Sequence, residues 1–188
     1  MLDAHQRDII KRFLEAKAGW SSWNDTAASL RGAPRKAVRK FPTVEAAAHY
    51  YQVECGNPYT GDPFWGAGDL YLHPQRLQAY LDNPPIIGKP PIDCDDVAAW
   101  YWHAVAGAPG VEGLRIVSLI DPSFSFANRS HVILAGTVRG RAFTLDTNGL
   151  MWQPDLSEAT LCRAFSTLYM DHGHEYAGAV DTPYPWQP

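Results

Sequence analysis

Cys94, His131 and Asp146 are of the residue types that together carry out acyl transfer. A nucleophilic cysteine needs its thiolate favoured, a base to hold the proton, and a group that orients the base. Cys94 follows Asp93, a good helix N-cap, and Asp96 sits three positions after that cap as in a capping box. The thiol is therefore expected in the first turn of a helix, where unpaired N–H groups and the positive end of the dipole favour an anion. Asp93, Asp95 and Asp96 work against this, because carboxylates disfavour a further negative charge. The reading that reconciles the two spends Asp93 as the cap and expects the others to point outward or pair elsewhere. The thiolate then depends on an imidazolium partner.

His131 opens a strand-like run and Asp146 closes the next one. With a two-residue turn at Arg139-Gly140, residue 131 lies opposite residue 148. Asp146 is then a diagonal neighbour on the same face, about 7–8 Å away between backbones. A three-residue turn would put it on the other face. The triad therefore requires an even-numbered turn or a compensating bulge.

The elements that must position these residues follow from pattern. Leu2, Ile9, Ile10, Phe13 and Leu14 form a helical stripe that Gly19 is expected to end. Thr43 caps a second helix running to about Glu54, with Val44, Ala47, Ala48 and Tyr51 on one face. Residues 56–72 carry turn chemistry, a short helix follows Pro74, and prolines bracket a connector before Asp93. In the Cys94 helix, Val97, Ala98, Tyr101 and Val105 share the buried face. Trp100 and Trp102 fall off it, as candidates to line a cleft or meet a partner. Strands are expected at 114–120, 131–138 and 142–146, then a helix at 156–170 and an irregular proline-rich tail. Helices first and an antiparallel sheet after is the α+β order. Residues 1–56 read as a helical region, 57–170 as the main domain and 171–188 as the tail.

The chain has 188 residues, 46% of them apolar, enough for one ordinary core. A net charge of −4 gives no case for nucleic-acid binding. The basic run Arg31, Arg35, Lys36, Arg39 and Lys40 reads as a solvated face, with docking onto an acidic partner as the alternative. No stretch approaches the roughly 20 apolar residues of a membrane span, and residues 1–17 are amphipathic rather than a secretory leader. A cytosolic location is expected. Cys55, Cys94 and Cys162 are three widely spaced thiols with no CxxC, so neither disulfides nor a structural zinc is expected. Asp171-His172-Gly173-His174-Glu175 lacks the further spaced ligands a metal needs, and no metal or cofactor is expected.

Asp93-Cys94-Asp95-Asp96-Val97-Ala98 resembles the G-D-C-[ED]-D-[FY]-A signature of transglutaminase-like cysteine proteinases of the papain superfamily. Asp69-Leu70-Tyr71-Leu72-His73-Pro74 resembles that family's D-Y-W-x-T-P segment. His131-Val132-Ile133-Leu134 and Phe143-Thr144-Leu145-Asp146-Thr147-Asn148 resemble its H-A-V-L and Y-V-L-D-N strands. The resemblance covers residues 57–150 in the family's order. It departs at Ile92, where a glycine is usual, and at Tyr71, where the tryptophan of D-Y-W stands. It implies a papain-like core and a Cys94–His131–Asp146 triad. Family members encoded by phages lack signal peptides, and this chain resembles those; incorporation into a virion is then a second possible location. By geometry the Cys94 N–H is one oxyanion donor, and Asn57, Gln75 or the Trp65 indole is the second.

Two functions follow as expectations. One is a peptidase or amidase working through an acyl-enzyme on Cys94, with a protein or peptide substrate. The other is a structural or assembly protein, for example of a phage particle, that uses the fold as a scaffold. In that case the N-terminal region and the tail would be its assembly surfaces.

Overall fold

The computed structural model describes residues 1–30, 32–60, 71–84, 92–121, 130–173 and 175–188, apart from the side chain of residue 172. Helix α1 (Ala4–Leu30) opens on a capping box in which Asp3 N–H donates to Gln6 Oε1 and Gln6 N–H to Asp3 Oδ1. It runs through Gly19, where the sequence pattern places its end. An interior glycine costs about 1 kcal/mol, and the buried Ser21 and Asp25 beyond it outweigh that. Ser21 Oγ accepts from Tyr71 N–H, and Asp25 pairs with Arg76 at 2.6 Å and with Arg35.

Helix α2 (Val44–His49) is capped by Thr43, as expected, and continues as a π-helical turn, Tyr50–Glu54. Helix α3 (Pro74–Asp82) buries Leu77, Tyr80 and Leu81. Helix α4 (Cys94–Val105) has the full Asp93/Asp96 capping box. It is buried nearly all round, and Trp100, expected off the buried face, is 0% exposed with its indole N–H donating to Gln78 Oε1. The pattern misleads there because α2 and α3 cover the side that the sheet does not.

Among the described residues five strands follow: β1 (Val111–Ile120), β2 (His131–Val138), β3 (Arg141–Asp146), β4 (Gly149–Trp152) and β5 (Gly178–Asp181). They form one antiparallel sheet in the order β4-β3-β2-β1-β5. Helix α5 (Glu158–Leu168) lies between β4 and β5 in sequence. The class is α+β. Leu134, Phe143 and Leu145 pack with α4 on one face of the sheet, while Ile133, Ala135 and Val117 pack with Leu161 and Phe165 of α5 on the other.

Strands β4 and β5 have no counterpart in the sequence reading. Both are four residues long, too short for alternation to register. Strand β5 ties the C-terminal stretch into the sheet, and beyond it Tyr184 and Trp186 pack on Tyr71 and His73. The N-terminal region and the tail are thus docked on this domain. The basic run is exposed, as expected of a solvated face, and its side chains also find partners. Arg35 pairs with Asp25, Lys36 and Arg39 with Asp82, and Lys40 Nζ donates to the His103 carbonyl; Arg31 lies outside the described residues.

Candidate active site

The β2–β3 pairs, from Val138–Arg141 to Leu134–Leu145, leave a two-residue turn at Arg139-Gly140. Both turn residues have positive φ, 49° and 79°, which matches the right-handed twist of a tight hairpin. Carried on, this register sets 131 against 148 and brings Asp146 diagonally to His131, the even-numbered turn the triad requires. His131 Nε2 lies 2.8 Å from Asp146 Oδ2, and the two side chains are 9% and 0% exposed.

Asp146 is itself held. Its Oδ1 accepts from Asn148 N–H at 2.8 Å, and its Oδ2 accepts from Asn148 Nδ2 and from the Tyr169 hydroxyl, each at 3.3 Å. Asn148 also donates to the Tyr169 oxygen at 2.5 Å. The Tyr169 ring stands edge-on to the imidazole, with centroids 5.1 Å apart. Sequence reasoning missed both residues. Asn148 had a usable signal, since Asp-x-Asn at a strand end is a side-chain-to-backbone turn. Tyr169 had none.

By strand alternation His131 and Asp146 project to the α5 face, whereas α4 covers the opposite face. Cys94 reaches them because it stands at the first position of α4, beside the start of β2. Its Sγ accepts the Val132 backbone N–H at 3.4 Å. Burial by itself would lower the His131 pKa. Hydrogen bonds and charge from Asp146 and Cys94 outweigh it and push the value up to about 10. With Nε2 on Asp146, Nδ1 is the nitrogen left to exchange a proton with the thiol.

Of the two ways expected for Asp95 and Asp96, pointing outward or pairing elsewhere, the structure shows the second. Asp95 and Asp96 are 2% and 3% exposed. Asp95 is paired with Lys17 of α1. Asp96 accepts from Leu72 N–H at 2.6 Å and closes the capping box. Burial first, then the charges of Asp95 and Asp96, hold the Asp93 carboxyl well above the usual range, which favours its neutral form. Two of the three carboxylates beside the thiol are thereby neutralised. Oxygens of the three come within 4.8 Å of one another, and Lys17 already supplies a cation to Asp95.

Of the candidates for the second oxyanion donor, Asn57 and Gln75 are described, and their backbone groups are engaged elsewhere. Asn57 N–H donates to the Tyr51 carbonyl, and its side chain lines a cleft of about 300 Å³ with Tyr59, Thr60, Tyr80 and Leu81. Gln75 sits in the first turn of α3, with its N–H on His73 Nδ1 and its carbonyl accepting from Lys36 N–H. Trp65 and His174 lie outside the described residues. Among those described, no helix is long and apolar enough to cross a membrane. Compared with known protein families, curated proteins and solved structures, the chain matches none.

Proposed function

We propose that this protein is a transglutaminase-like cysteine peptidase or amidase with a papain-like core, acting on a protein or peptide substrate through an acyl-enzyme on Cys94. The observation that carries the reading is a thiol at a helix N-terminus beside an imidazole that is 2.8 Å from a fully buried carboxylate and held charged. The Cys94 sulfur attacks the amide carbonyl carbon. As the C–N bond breaks, His131 gives its proton to the leaving amine. Water then attacks the thioester while His131 takes its proton, the S–C bond breaks, and the acid leaves. Asp146 fixes the tautomer and stabilises the imidazolium. Cys94 N–H, at the first helical position, has no acceptor within α4 and is free to receive the oxyanion.

The test is iodoacetamide labelling followed by peptide mass mapping, together with intact mass after exposure to p-nitrophenyl acetate. Cys94 should alkylate ahead of Cys55 and Cys162 and should carry one transient acetyl group, and His131→Ala should lose both. Equal labelling of all three thiols, or labelling that His131→Ala leaves unchanged, would move the assignment to the second reading, a structural or assembly scaffold. The observation favouring that reading is the aromatic surface of α1, where Trp20 and Trp23 are 65% and 68% exposed.

A further inference from the structure

Helix α2 passes into the π-helical turn Tyr50–Glu54, a conformation found frequently at functional sites. Gly56 and Asn57 follow with φ of 69° and 48°. Asn57 is thus a non-glycine residue held in the left-handed region, which an L side chain rarely adopts. Both residues line the cleft of about 300 Å³ described above, the lower end of what a ligand site needs. Tyr80 and Leu81 of α3, each 8% exposed, line it as well, and Tyr59, 45% exposed, borders it. Thr60, on the same cleft, is tied to the stretch of chain that leads into α4. Its N–H donates to the Ile92 carbonyl at 3.0 Å, and its Oγ1 accepts the Ile92 N–H at 2.8 Å. Ile92 stands two residues before Cys94. Two residues span at most about 7 Å, so this end of the cleft lies within about 10 Å of the Cys94 backbone.

We infer that this cleft receives the side chain of the third substrate residue on the acyl side of the scissile bond, and that the side chain it takes is aromatic. The inference rests on the peptidase reading above. His131 protonates the leaving amine, so the leaving half of the substrate lies toward β2. The acyl half then runs the other way from Cys94, toward Ile92 and Thr60. An extended peptide advances about 3.3–3.4 Å per residue, and about 10 Å is three residues. The class of side chain follows from the lining. Among the described residues Tyr59, Tyr80, Pro58, Pro84 and Leu81 supply its apolar surface, and no charged side chain lines it. A charge brought into it would find no partner, and a cavity of this size leaves a small side chain loose. An aromatic ring packs on tyrosine rings edge-on or offset, and the Cys55 sulfur, also on the cleft, is a further soft contact for it.

Peptidyl chloromethyl ketones test it. The thiolate displaces chloride, the C–S bond forms as the C–Cl bond breaks, and the probe stays on Cys94, where intact mass and peptide mapping read it. Acetyl-Phe-Ala-Ala chloromethyl ketone should modify Cys94 about 10- to 100-fold faster than the Ala-Ala-Ala probe, the worth of burying one aromatic side chain. Probes with Phe in the second position from the ketone, or with Glu or Lys in the third, should gain nothing. Tyr59→Ala, which removes one wall, and Leu81→Trp, which fills the cleft, should each bring the ratio close to one. The ratio compares two probes on one protein, so a change in the thiol itself cancels. Tyr59 is exposed, and its variant decides the matter if Leu81→Trp fails to fold. Three outcomes overturn the inference while iodoacetamide still selects Cys94: equal rates for all probes, a preference that the folded variants retain, or a gain from Phe in the second position or from a charge. Loss of that selectivity as well would sink the peptidase reading itself, and the cleft with it.

Discussion

Lys17 of α1 forms an ion pair with Asp95, the residue that follows Cys94, and the two side chains are 11% and 3% exposed. Asp95 Oδ1 has no hydrogen-bond donor among the described residues, so Lys17 carries the neutralisation of that carboxylate. The contact joins the N-terminal helix to the electrostatics of the thiol. Lys17→Met leaves a buried negative charge unpaired next to Cys94, a change that typically costs about 3–5 kcal/mol. Urea denaturation should show that loss, and alkylation of Cys94 at neutral pH should slow. Adding Asp95→Asn to Lys17→Met should restore most of both. A single variant as stable and reactive as wild type would remove the pair from the account.

The pH dependence of stability follows from His131. Its folded pKa is raised to about 10 from an ordinary 6.5. A raised base binds its proton more tightly when folded, so its contribution is complete below pH 6.5 and is lost as pH rises through 10. The stability difference between wild type and His131→Gln, measured by urea melts, should be largest at the acid end of this window and should narrow across it. A difference that is flat or widens with pH would mean that the imidazole rests neutral.

The triad was legible because its parts are local and periodic. A capping box marks where α4 starts, and a two-residue hairpin fixes the phase of His131 and Asp146. What escaped depends on tertiary contact. Gly19 reads as a helix end, yet Asp25 beyond it is anchored by Arg76 from a segment 51 residues away. Trp100 reads as surface because α2 and α3 pack over it. The pairing of Lys17 with Asp95 spans 78 positions, and Tyr169 spans 38 to His131; no spacing rule reaches either. The partners of the exposed basic run escaped for the same reason, since Asp25 and Asp82 lie in α1 and α3.

Tyr169 is a positioning residue. Tyr169→Phe keeps the ring edge-on to His131 and removes only the hydroxyl, which donates to Asp146 Oδ2 and accepts from Asn148. Asp146 retains His131 and both donors of Asn148. The expected cost is that of two hydrogen bonds, about 0.5–1.5 kcal/mol each, with alkylation of Cys94 at neutral pH slowed by less than in Asp146→Asn. Tyr169→Ala, which also uncovers the imidazole, should slow it further. Equal rates for wild type and Tyr169→Phe, with only stability lowered, would make the hydroxyl structural.

Loss of Asp146 and loss of Cys94 should differ in kind. Cys94→Ala removes the only thiol beside a base among the described residues. Burial raises the Cys55 thiol above its usual range, and burial followed by the charge of Glu158 pushes Cys162 up to about 11, so neither substitutes at neutral pH. Asp146→Asn keeps the shape of the site and the Asn148 turn but removes the charge that holds the imidazolium. A charge-assisted hydrogen bond of this kind is worth about 1.5–3 kcal/mol, which corresponds to a thiolate population lower by about one to two orders of magnitude. Acetyl transfer from p-nitrophenyl acetate and alkylation at pH 7 should fall by that factor in Asp146→Asn and vanish at position 94 in Cys94→Ala. Raising the pH should recover rate in Asp146→Asn, because hydroxide then does what the imidazole no longer does, whereas nothing recovers Cys94→Ala. If Asp146→Asn matches wild type at pH 7, the carboxylate holds the hairpin together and has no part in activating the thiol.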